Sequence, residues 1–440
     1  MSLFDPPLSP SAPSAGEPRL VYANPAPHLS GPVVKILHTS DWHLGRGLAR
    51  IRRRHEEHEK FLSWLVELIS QEKIDALLVA GDIFDNAAPA VSAQELYYNF
   101  LVQVMKTSCH NLVIIAGNHD SAAFLSAPAR LLKFFHIHVI GDPGEPTSEV
   151  LTLTDPAGQP ELLVAAVPFL RDRFVRLSQE GESSQDKTQS LINGLKAHYA
   201  AVTEVAVARR AQLGQPVPLV GMGHLFAAGG LVTEGDGVRD LYAGSLAQVP
   251  ADSFSEEFDY LALGHLHRPQ TVGRETIRYS GSPFQMSFAE SGEKSVGLIS
   301  LGQGQLTVRL APIPVFQELK RLKGDKIQLL QQIRDLKKAG SQAWLEVIHT
   351  GSEILGDARS LFEEALKGGA MELAAVIDER INQEIFANLG GGKSLGEMSP
   401  QEVFDQLLEN KKVPEPERPE LRATFAELVQ AFNEAGQTDQ

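Results

Sequence analysis

The sequence lacks the features that are typical of disulfide-bonded secreted proteins, membrane proteins and nucleotide-binding enzymes. Its 440 residues contain one cysteine, Cys109, so neither an internal disulfide nor a thiolate metal cage can form. No apolar stretch approaches the roughly 18 residues needed to cross a bilayer, and no Gly-x-x-x-x-Gly-Lys-Ser/Thr loop for nucleotide phosphates occurs. We therefore expect a cytoplasmic protein that does not enter the membrane and that must borrow any ATP dependence from a partner.

Positive charge is also scarce. Lys and Arg total 40 against 55 Asp and Glu, which gives a net charge of -15. This balance excludes a surface that is basic throughout, although a local basic groove or bound divalent cations could still attract a polyanion. The 43% content of hydrophobic residues is that of an ordinary globular chain, and its length predicts two to four domains.

Short aliphatic runs predict buried strands at residues 33–38, 74–80, 112–116, 162–167, 219–222 and 260–263. Amphipathic stretches separate the first three runs, with Phe61, Leu65 and Leu68 on one face of the first. The resulting β-α-β-α-β order predicts a layered α/β fold. In such folds the functional groups gather where strands end.

The distribution of proline, glycine and apolar residues predicts four parts. Residues 1–32 carry eight prolines and are expected to form a disordered arm. Residues 33–314 should form the main domain, which finishes in antiparallel strands from about 272 to 310. Residues 315–392 should form a small β-α-β domain. Residues 393–440 should form a helical tail whose apolar stripes pack on their own domain or on a partner.

Five segments place metal-ligand residue types at the ends of predicted strands. They are Asp41-Trp42-His43, Gly81-Asp82, Gly117-Asn118-His119-Asp120, Gly223-His224 and Gly264-His265-Leu266-His267. Carboxylate, amide and imidazole ligands together suit Mn²⁺, Fe²⁺ or Zn²⁺. Residues two apart on an extended strand end point to the same side and can hold one ion. The two oxygens of one carboxylate can bridge two ions.

Each segment alone has a simpler interpretation. Asp-x-His can be a capping Asp beside a surface His, Gly-Asn-His-Asp can be a turn, and a lone Asp82 or His224 can be structural. Five such segments in this order, each after an apolar strand, are not explained by turn chemistry. Their conjunction predicts a two-metal phosphoesterase site.

An arginine cluster follows the Asp41/His43 pair. Its members are Arg46, Arg50, Arg52, Arg53 and Arg54. Such a run is often only a solvated loop. At the mouth of a site that must receive a polyanion, we expect it to contact phosphates without reading sequence.

The motifs resemble those of the calcineurin-like metallophosphoesterases, whose pattern of DxH, GDxxD, GNHD, GH and GHxH is present in full. The residues at 38–45, 81–85, 117–121 and 279–283 resemble, more narrowly, the SbcD family of bacterial nuclease subunits, which is similar to double-strand-break repair nucleases. This resemblance covers about residues 34–310 closely. It implies a layered β-sandwich flanked by helices, with a small α+β capping domain and C-terminal helices.

The resemblance also implies two Mn²⁺ ions, with Mg²⁺, Fe²⁺ or Zn²⁺ as alternatives. It assigns Asp41, His43, Asp82 and His267 to the first ion, and Asp82, Asn118, His224 and His265 to the second. His119 would be the catalytic residue, oriented by Asp120. Related repair nucleases often carry a second His three residues after the bridging Asp, where this chain has Asp85. We expect Asp85 to orient a ligand or to cap the following loop.

By resemblance, the chain would be the nuclease subunit of an SbcCD complex in DNA repair, recombination and replication. It would act 3′ to 5′ on duplex DNA ends, and as an endonuclease on single strands and hairpins. Its expected partner is an SbcC-type ATPase with a coiled coil, and a homodimer within a heterotetramer is expected. Two alternatives stay open. One is a phosphatase or cyclic-nucleotide phosphodiesterase, and the other is a repair scaffold without catalysis.

Overall fold

The computed structural model describes residues 16–49, 54–176, 182–231, 248–353 and 355–379, with isolated positions between 404 and 425. The chain divides into two compact units, Met1–Gln317 and Glu318–Gln440. Within these described ranges, no helix combines the length and the apolar character that crossing a membrane requires.

The first unit is built from many short strands and a few helices. Its strands are β1 (Arg19–Pro25), β2 (Val34–Thr39), β3 (Ala76–Ala80), β4 (Asn111–Ile115), β5 (Ile137–Ile140), β6 (Val150–Thr154), β7 (Pro160–Ala166), β8 (Leu219–His224), β9 (Ala227–Ala228), β10 (Val249–Pro250), β11 (Tyr260–Gly264), β12 (Gln270–Val272), β13 (Arg274–Tyr279), β14 (Ser295–Gly302) and β15 (Gln305–Pro312). Its helices are α1 (His55–Glu72), α2 (Val91–Val104), α3 (Ala122–Ser126), α4 (Ala129–Leu132), α5 (Pro146–Glu149), α6 (Asp172–Val175) and α7 (Ser184–Leu213).

Two large sheets organise this unit. The first has the order β1-β15-β14-β2-β3-β4-β5, and the second has the order β12-β13-β11-β8-β7-β6. Strands β2 to β5 pair in parallel, as do β7, β8, β11 and β13. The carboxyl ends of parallel strands share one edge of a sheet, so the loops that follow them are brought together.

Three apolar cores hold the layers together. Ile36 and Val113 of the first sheet share a core with Met222 of the second, so the sheets pack face to face. A second core joins the first sheet to α1 and α2, and a third joins the second sheet to α7. The predicted β-sandwich flanked by helices is therefore confirmed.

Helix α7 is the largest element that the sequence analysis did not predict. A capping box begins it, in which Ser183 Oγ accepts from the backbone N–H of Asp186 and Asp186 accepts from the backbone N–H of Ser183. Gly214 ends it with a left-handed φ of 65°. Buried Leu195, Tyr199 and Val202 recur at helical spacing and seat the helix on the second sheet. These local signals are legible in the sequence.

The predicted disordered arm over 1–32 is wrong in its second half. Strand β1 pairs antiparallel with β15, and Leu29 is fully buried in the core between the sheets. A high proline content does not exclude an edge strand, because such a strand tolerates proline where no N–H has to be donated. Pro25, the last residue of β1, is an example. Residues 1–15 lie outside the described part of the chain.

The second unit contains β16 (Leu319–Gly324), α8 (Lys326–Lys338), β17 (Trp344–His349), α9 (Ala358–Leu366) and β18 (Glu372–Asp378). Its three strands are parallel in the order β16-β17-β18. Leu329, Val347 and Phe362 contribute to its core. The structure contains the predicted β17-α9-β18 motif and adds a strand and a helix in the lysine-rich stretch before it.

The predicted helical tail over 393–440 lies largely outside the described residues. Phe404 and Phe425, one from each predicted apolar stripe, are described. Their ring centroids are 4.1 Å apart and their planes differ by 4°. The contact between these two rings favours packing of the tail within the chain, while docking of the tail on a partner stays a prediction.

Candidate metal centre

All seven predicted metal ligands lie at the carboxyl ends of parallel strands in the first unit. Each ligand ends a strand or follows it closely: Asp41 and His43 follow β2, Asp82 follows β3, Asn118 follows β4, His224 ends β8, and His265 and His267 follow β11. Most of these side chains are buried, while Asn118 and His265 are half-buried. Loops from both sheets therefore converge on one place.

The backbone is strained where it presents these side chains. Asp41, His43, Asp82 and His265 have positive φ angles of 53°, 44°, 51° and 104°. Residues other than glycine rarely adopt this region, and such strain persists where the surrounding structure imposes it, often at functional sites. Gly117 is required for a different reason, because a Cβ there would lie 2.1 Å from Asp82 Oδ1.

Asp41, His43 and His267 form the first cluster, with one ligand atom of each lying within 4.8 Å of the others. The Nε2 atoms of His43 and His267 are 3.2 Å apart. Asp41 accepts from the backbone N–H of His265 at 2.9 Å and from Ser40 Oγ, which fixes its carboxylate. These residues match three of the four ligands expected for the first ion.

Asp82, His224 and His265 form the second cluster, again within 4.8 Å. Asn118 Oδ1 lies 3.0 Å from both His224 Nε2 and His265 Nδ1. Asp82 Oδ2 lies 3.3 Å from His224 Nε2 and 3.5 Å from His43 Nε2. The carboxylate of Asp82 thus stands between the two clusters, as expected for a bridging ligand.

Burial and mutual proximity shift the pKa values of these groups. Burial lowers the pKa of His265 to about 3 and the pKa of His267 well below its ordinary value, so both imidazoles are neutral. Burial also raises the pKa of Asp41 to about 7. Burial opposes ionisation of Asp82 as well, but the neighbouring His224 outweighs it and holds the pKa of Asp82 far down. Asp82 in turn raises the pKa of His224 to about 9 against the effect of burial.

The donor set fits a pair of divalent ions. The Nε2 atoms of His43 and His267 face each other at 3.2 Å, so both nitrogens could bind one cation placed between them. His224 donates its Nδ1–H to the carbonyl of Ala80 at 2.8 Å, which leaves Nε2 directed at the amide oxygen of Asn118. Mixed oxygen and nitrogen donors of this kind suit first-row divalent metals.

His119 lies beside the first cluster, with its ring centroid 4.6 Å from that of His43. Its Nδ1–H donates to the backbone carbonyl of Asp85 at 2.7 Å, so Nε2 is the nitrogen available to a substrate. The carboxylate of Asp85 lies 3.3 Å from His43 Nδ1. Asp85 is thus placed where it could orient a predicted ligand, and that role stays a prediction.

The expected pairing of Asp120 with His119 is wrong. The buried carboxylate of Asp120 accepts backbone N–H groups from Gly117 at 2.9 Å, Ile83 at 3.1 Å and Phe84 at 2.9 Å. It ties the loop after β3 to the loop after β4. The short turn directs Asp120 into the protein, so the carbonyl of Asp85 takes the orienting role instead.

The arginine cluster divides into residues with different environments. Arg46 is half-buried and donates to Asp85 Oδ1 at 3.2 Å, at the edge of the site. Arg54 is 1% exposed, donates to Glu57 at 2.7 Å and lies over the ring of Phe284, so its expected contact with DNA is not compatible with this structure. Arg50, Arg52 and Arg53 lie outside the described residues.

Comparisons with known proteins agree with this geometry. A family described as "Calcineurin-like phosphoesterase" matches residues 34–269. A second family, "Type 5 capsule protein repressor C-terminal domain", matches residues 315–412. The chain is 34% identical to the SbcD subunit of the nuclease SbcCD from Escherichia coli (strain K12) over 397 residues, which cover 89% of this chain and 97% of that protein.

The chain belongs to the SbcD family of calcineurin-like phosphoesterases. The SbcD subunits of nuclease SbcCD from two further bacteria are also similar. That of Rhodobacter capsulatus is 38% identical over 64% of this chain and 69% of its own length. That of Bacillus subtilis is 34% identical over 62% and 67%. The calcineurin-like phosphoesterase family implies a dinuclear site for divalent metals, and the two clusters, with the Asp82 carboxylate between them, are the residues that could form it.

Proposed function

We propose that this protein is a DNA nuclease that hydrolyses phosphodiester bonds with two divalent metal ions. The observation that carries the proposal is the position of the Asp82 carboxylate, between His43 of one cluster and His224 of the other. The nuclease names of its relatives support DNA as the substrate.

Each ion would have four ligands from this chain, and Asp82 would belong to both sets. When bound, a pair of divalent ions supplies Lewis-acid activation of water and neutralises the charge that develops on phosphate. We assign Asp41, His43, Asp82 and His267 to the first ion, and Asp82, Asn118, His224 and His265 to the second. Mn²⁺ is the metal we propose, and Mg²⁺, Fe²⁺ and Zn²⁺ also suit such donors.

His119 is the proposed catalytic residue. Because its Nδ1–H is held by the carbonyl of Asp85, its Nε2 can stabilise the phosphate or pass a proton to the departing sugar oxygen. The imidazole is half-buried and touches the ring of His43, which keeps it next to the first cluster. Its role requires no direct contact with either ion.

The substrate class can be tested with two substrates in one experiment. The purified protein is incubated with Mn²⁺ and either a labelled linear duplex or p-nitrophenyl phosphate. We expect the duplex to be degraded from its 3′ ends and a hairpin to be opened. Hydrolysis of p-nitrophenyl phosphate alone would favour a phosphatase. No hydrolysis of either substrate, despite bound metal, would favour a scaffold.

We propose that the arginines after the first ligand pair contact the DNA backbone. The test is the variant R50A/R52A/R53A, in which buried Arg54 is retained because it packs within the fold. We expect weaker duplex binding and a shallower dependence of binding on salt, since fewer counterions are released. Hydrolysis of a small phosphodiester serves as the control and should not change. Equal loss of both activities would contradict the proposed contact.

We further propose that the chain acts in the cytoplasm with an SbcC-type ATPase in DNA repair, recombination and replication, as a homodimer within a heterotetramer. An apolar patch supports the homodimer, because Leu131, Phe134 and Phe135 are 63%, 83% and 47% exposed on adjoining turns. The variant F134E should shift the protein from dimer to monomer in light scattering. A wild-type protein that is monomeric at all concentrations would contradict the homodimer.

A further inference from the structure

Lys294 is a nearly buried lysine that reaches the backbone of a predicted metal ligand. It stands directly before β14, and its side chain is 12% exposed. Its ammonium group donates to the carbonyl of His267 at 2.9 Å, to Ser282 Oγ at 2.9 Å and to Glu290 Oε2 at 2.8 Å. All three of its protons therefore have an acceptor within the fold.

His267 differs from other ligands in how its ring is held. The second ring nitrogen of His43 faces the carboxylate of Asp85, and that of His224 donates to the carbonyl of Ala80. The Nδ1 atoms of His43 and His267 are both buried without a hydrogen-bond partner among the described residues, but only that of His43 has a carboxylate beside it, at 3.3 Å. Metal-binding histidines usually have their other nitrogen fixed by such a partner. Outside the cluster, the hydrogen bonds that hold His267 therefore act on its backbone.

The backbone carbonyl of His267 has three donors. It accepts from the N–H of Ser282 at 3.1 Å, from Ser282 Oγ at 3.3 Å and from the ammonium group of Lys294 at 2.9 Å. A hydrogen bond from a charged donor is roughly twice as strong as one between neutral groups. Glu290, which is buried, neutralises the ammonium and fixes its position.

We propose that Lys294, paired with Glu290, is a positioning residue that holds the carbonyl of His267 and thereby keeps its imidazole aimed at the first metal ion. This inference rests on the metal pair of the proposed function. It predicts that loss of the ammonium group weakens the first ion selectively. The second ion, held by His224 and His265, should keep its affinity.

Two variants separate positioning from folding. K294M removes the donor but leaves the carboxylate of Glu290 buried and unpaired, so this variant can fail to fold. The double variant K294M/E290Q removes both charges and leaves no uncompensated ion. The matched control is K35M, because Lys35 also donates from a partly buried position to a backbone carbonyl, that of Glu72, but does not touch the metal clusters.

The measurement is a Mn²⁺ titration of metal-free full-length protein, followed by electron paramagnetic resonance, with thermal melting of the metal-free form as the folding control. We expect two tight ions with a spin-coupled spectrum for wild type and for K35M. For K294M/E290Q we expect one tight ion with an uncoupled spectrum and a second bound about 10- to 100-fold more weakly. Its melting temperature should stay close to that of wild type.

The outcomes distinguish this inference from the proposed function. A folded K294M/E290Q that binds both ions as wild type does would overturn the inference alone. Equal weakening of both ions, or the same loss in K35M, would also overturn it, because the effect would then be a general distortion. A wild-type protein that binds fewer than two ions would overturn the proposed function together with the inference.

Discussion

In the first unit Asp82 and His265 closely follow the parallel strands β3 and β11, and β8 ends in His224. In the second unit β17 and β18 end in His349 and Asp378. Both units thus bring acidic and imidazole side chains to the carboxyl edge of a parallel sheet. Among the described residues, clusters of three or more possible metal ligands occur only in the first unit.

The difference lies in how many loops converge. The first unit has two sheets packed face to face, so loops from both deliver ligands to one place. The second unit has one sheet of three strands, and its His349 Nδ1 lies 3.8 Å from Asp378 with no third ligand beside it in the described part of that unit. The carboxyl edge of one parallel sheet therefore brings some possible ligands together. In the first unit, the second sheet supplies the remaining ones.

The largest effect should come from removing the shared ligand of the first unit. We expect D82N to lose both ions and to reduce hydrolysis by about 10⁴-fold or more, since each ion contributes several kcal/mol to the transition state. The matched variant D378N changes the corresponding residue of the second unit and should leave metal content and activity unchanged. Metal analysis and duplex degradation measure both. If D378N lost metal as D82N does, the contrast between the units would be wrong.

A large but separable effect is expected at His119, because its predicted role is proton transfer rather than ligation. H119Q should lower the rate of phosphodiester hydrolysis by about 10²-fold or more. Both Mn²⁺ ions should bind as in wild type. Calorimetric titration with Mn²⁺ beside the kinetic assay separates the two properties. Loss of an ion in H119Q would make His119 a ligand instead.

Acid should destabilise the first unit through its buried histidines. Burial lowers the pKa of His38 to about 3, from an ordinary value of 6.5. Below pH 6.5 the imidazole of His38 binds a proton in the unfolded chain but stays neutral in the folded chain. The free energy of unfolding therefore falls as the pH drops from 6.5 toward 3. At pH 5 the cost is about 2 kcal/mol for such a histidine. Urea unfolding at several pH values should show a weaker pH dependence in H38Q, and an unchanged slope would argue against this origin.

The smallest effect is expected at His349, which is fully buried and has no hydrogen-bond partner at either ring nitrogen within the described residues. Replacing an unsatisfied buried polar group by an apolar one is nearly neutral or stabilising. H349L should therefore change the free energy of unfolding by no more than about 1 kcal/mol. Thermal melting checks this. A decrease of several kcal/mol in the free energy of unfolding would mean that the imidazole has a structural partner or binds a ligand. The contrast between the two units would then be weaker.

Much of the site could be predicted from the sequence because several of its proposed ligands lie close together along the chain. Asp41 and His43, like His265 and His267, are close in the chain and follow recognisable aliphatic strands, so residue type and position at a strand end were enough to propose them as ligands. The structure adds what local patterns cannot show, namely the distances that join the first pair to the second.

The incorrect predictions share a cause. Proximity in the chain predicts the same role for Arg54 as for the arginines before it, but Arg54 is buried beside Glu57 and Phe284. Asp120 was paired with its neighbour His119, but the turn directs its carboxylate to backbone amides of the loop after β3. Direction of a side chain depends on backbone angles, which residue type alone does not specify.

The chemistry of the ligands and the strands that deliver them were determined by the sequence itself, because donor type and aliphatic patterning are properties of short segments. Tertiary structure decided that Asp82 lies between two clusters and that Lys294 holds the carbonyl of His267. Lys294 is 27 residues from His267 along the chain, and only the packing of the loop before β14 against the loop after β11 brings them together. Contacts of this kind depend on how sheets and loops pack, which no local pattern encodes.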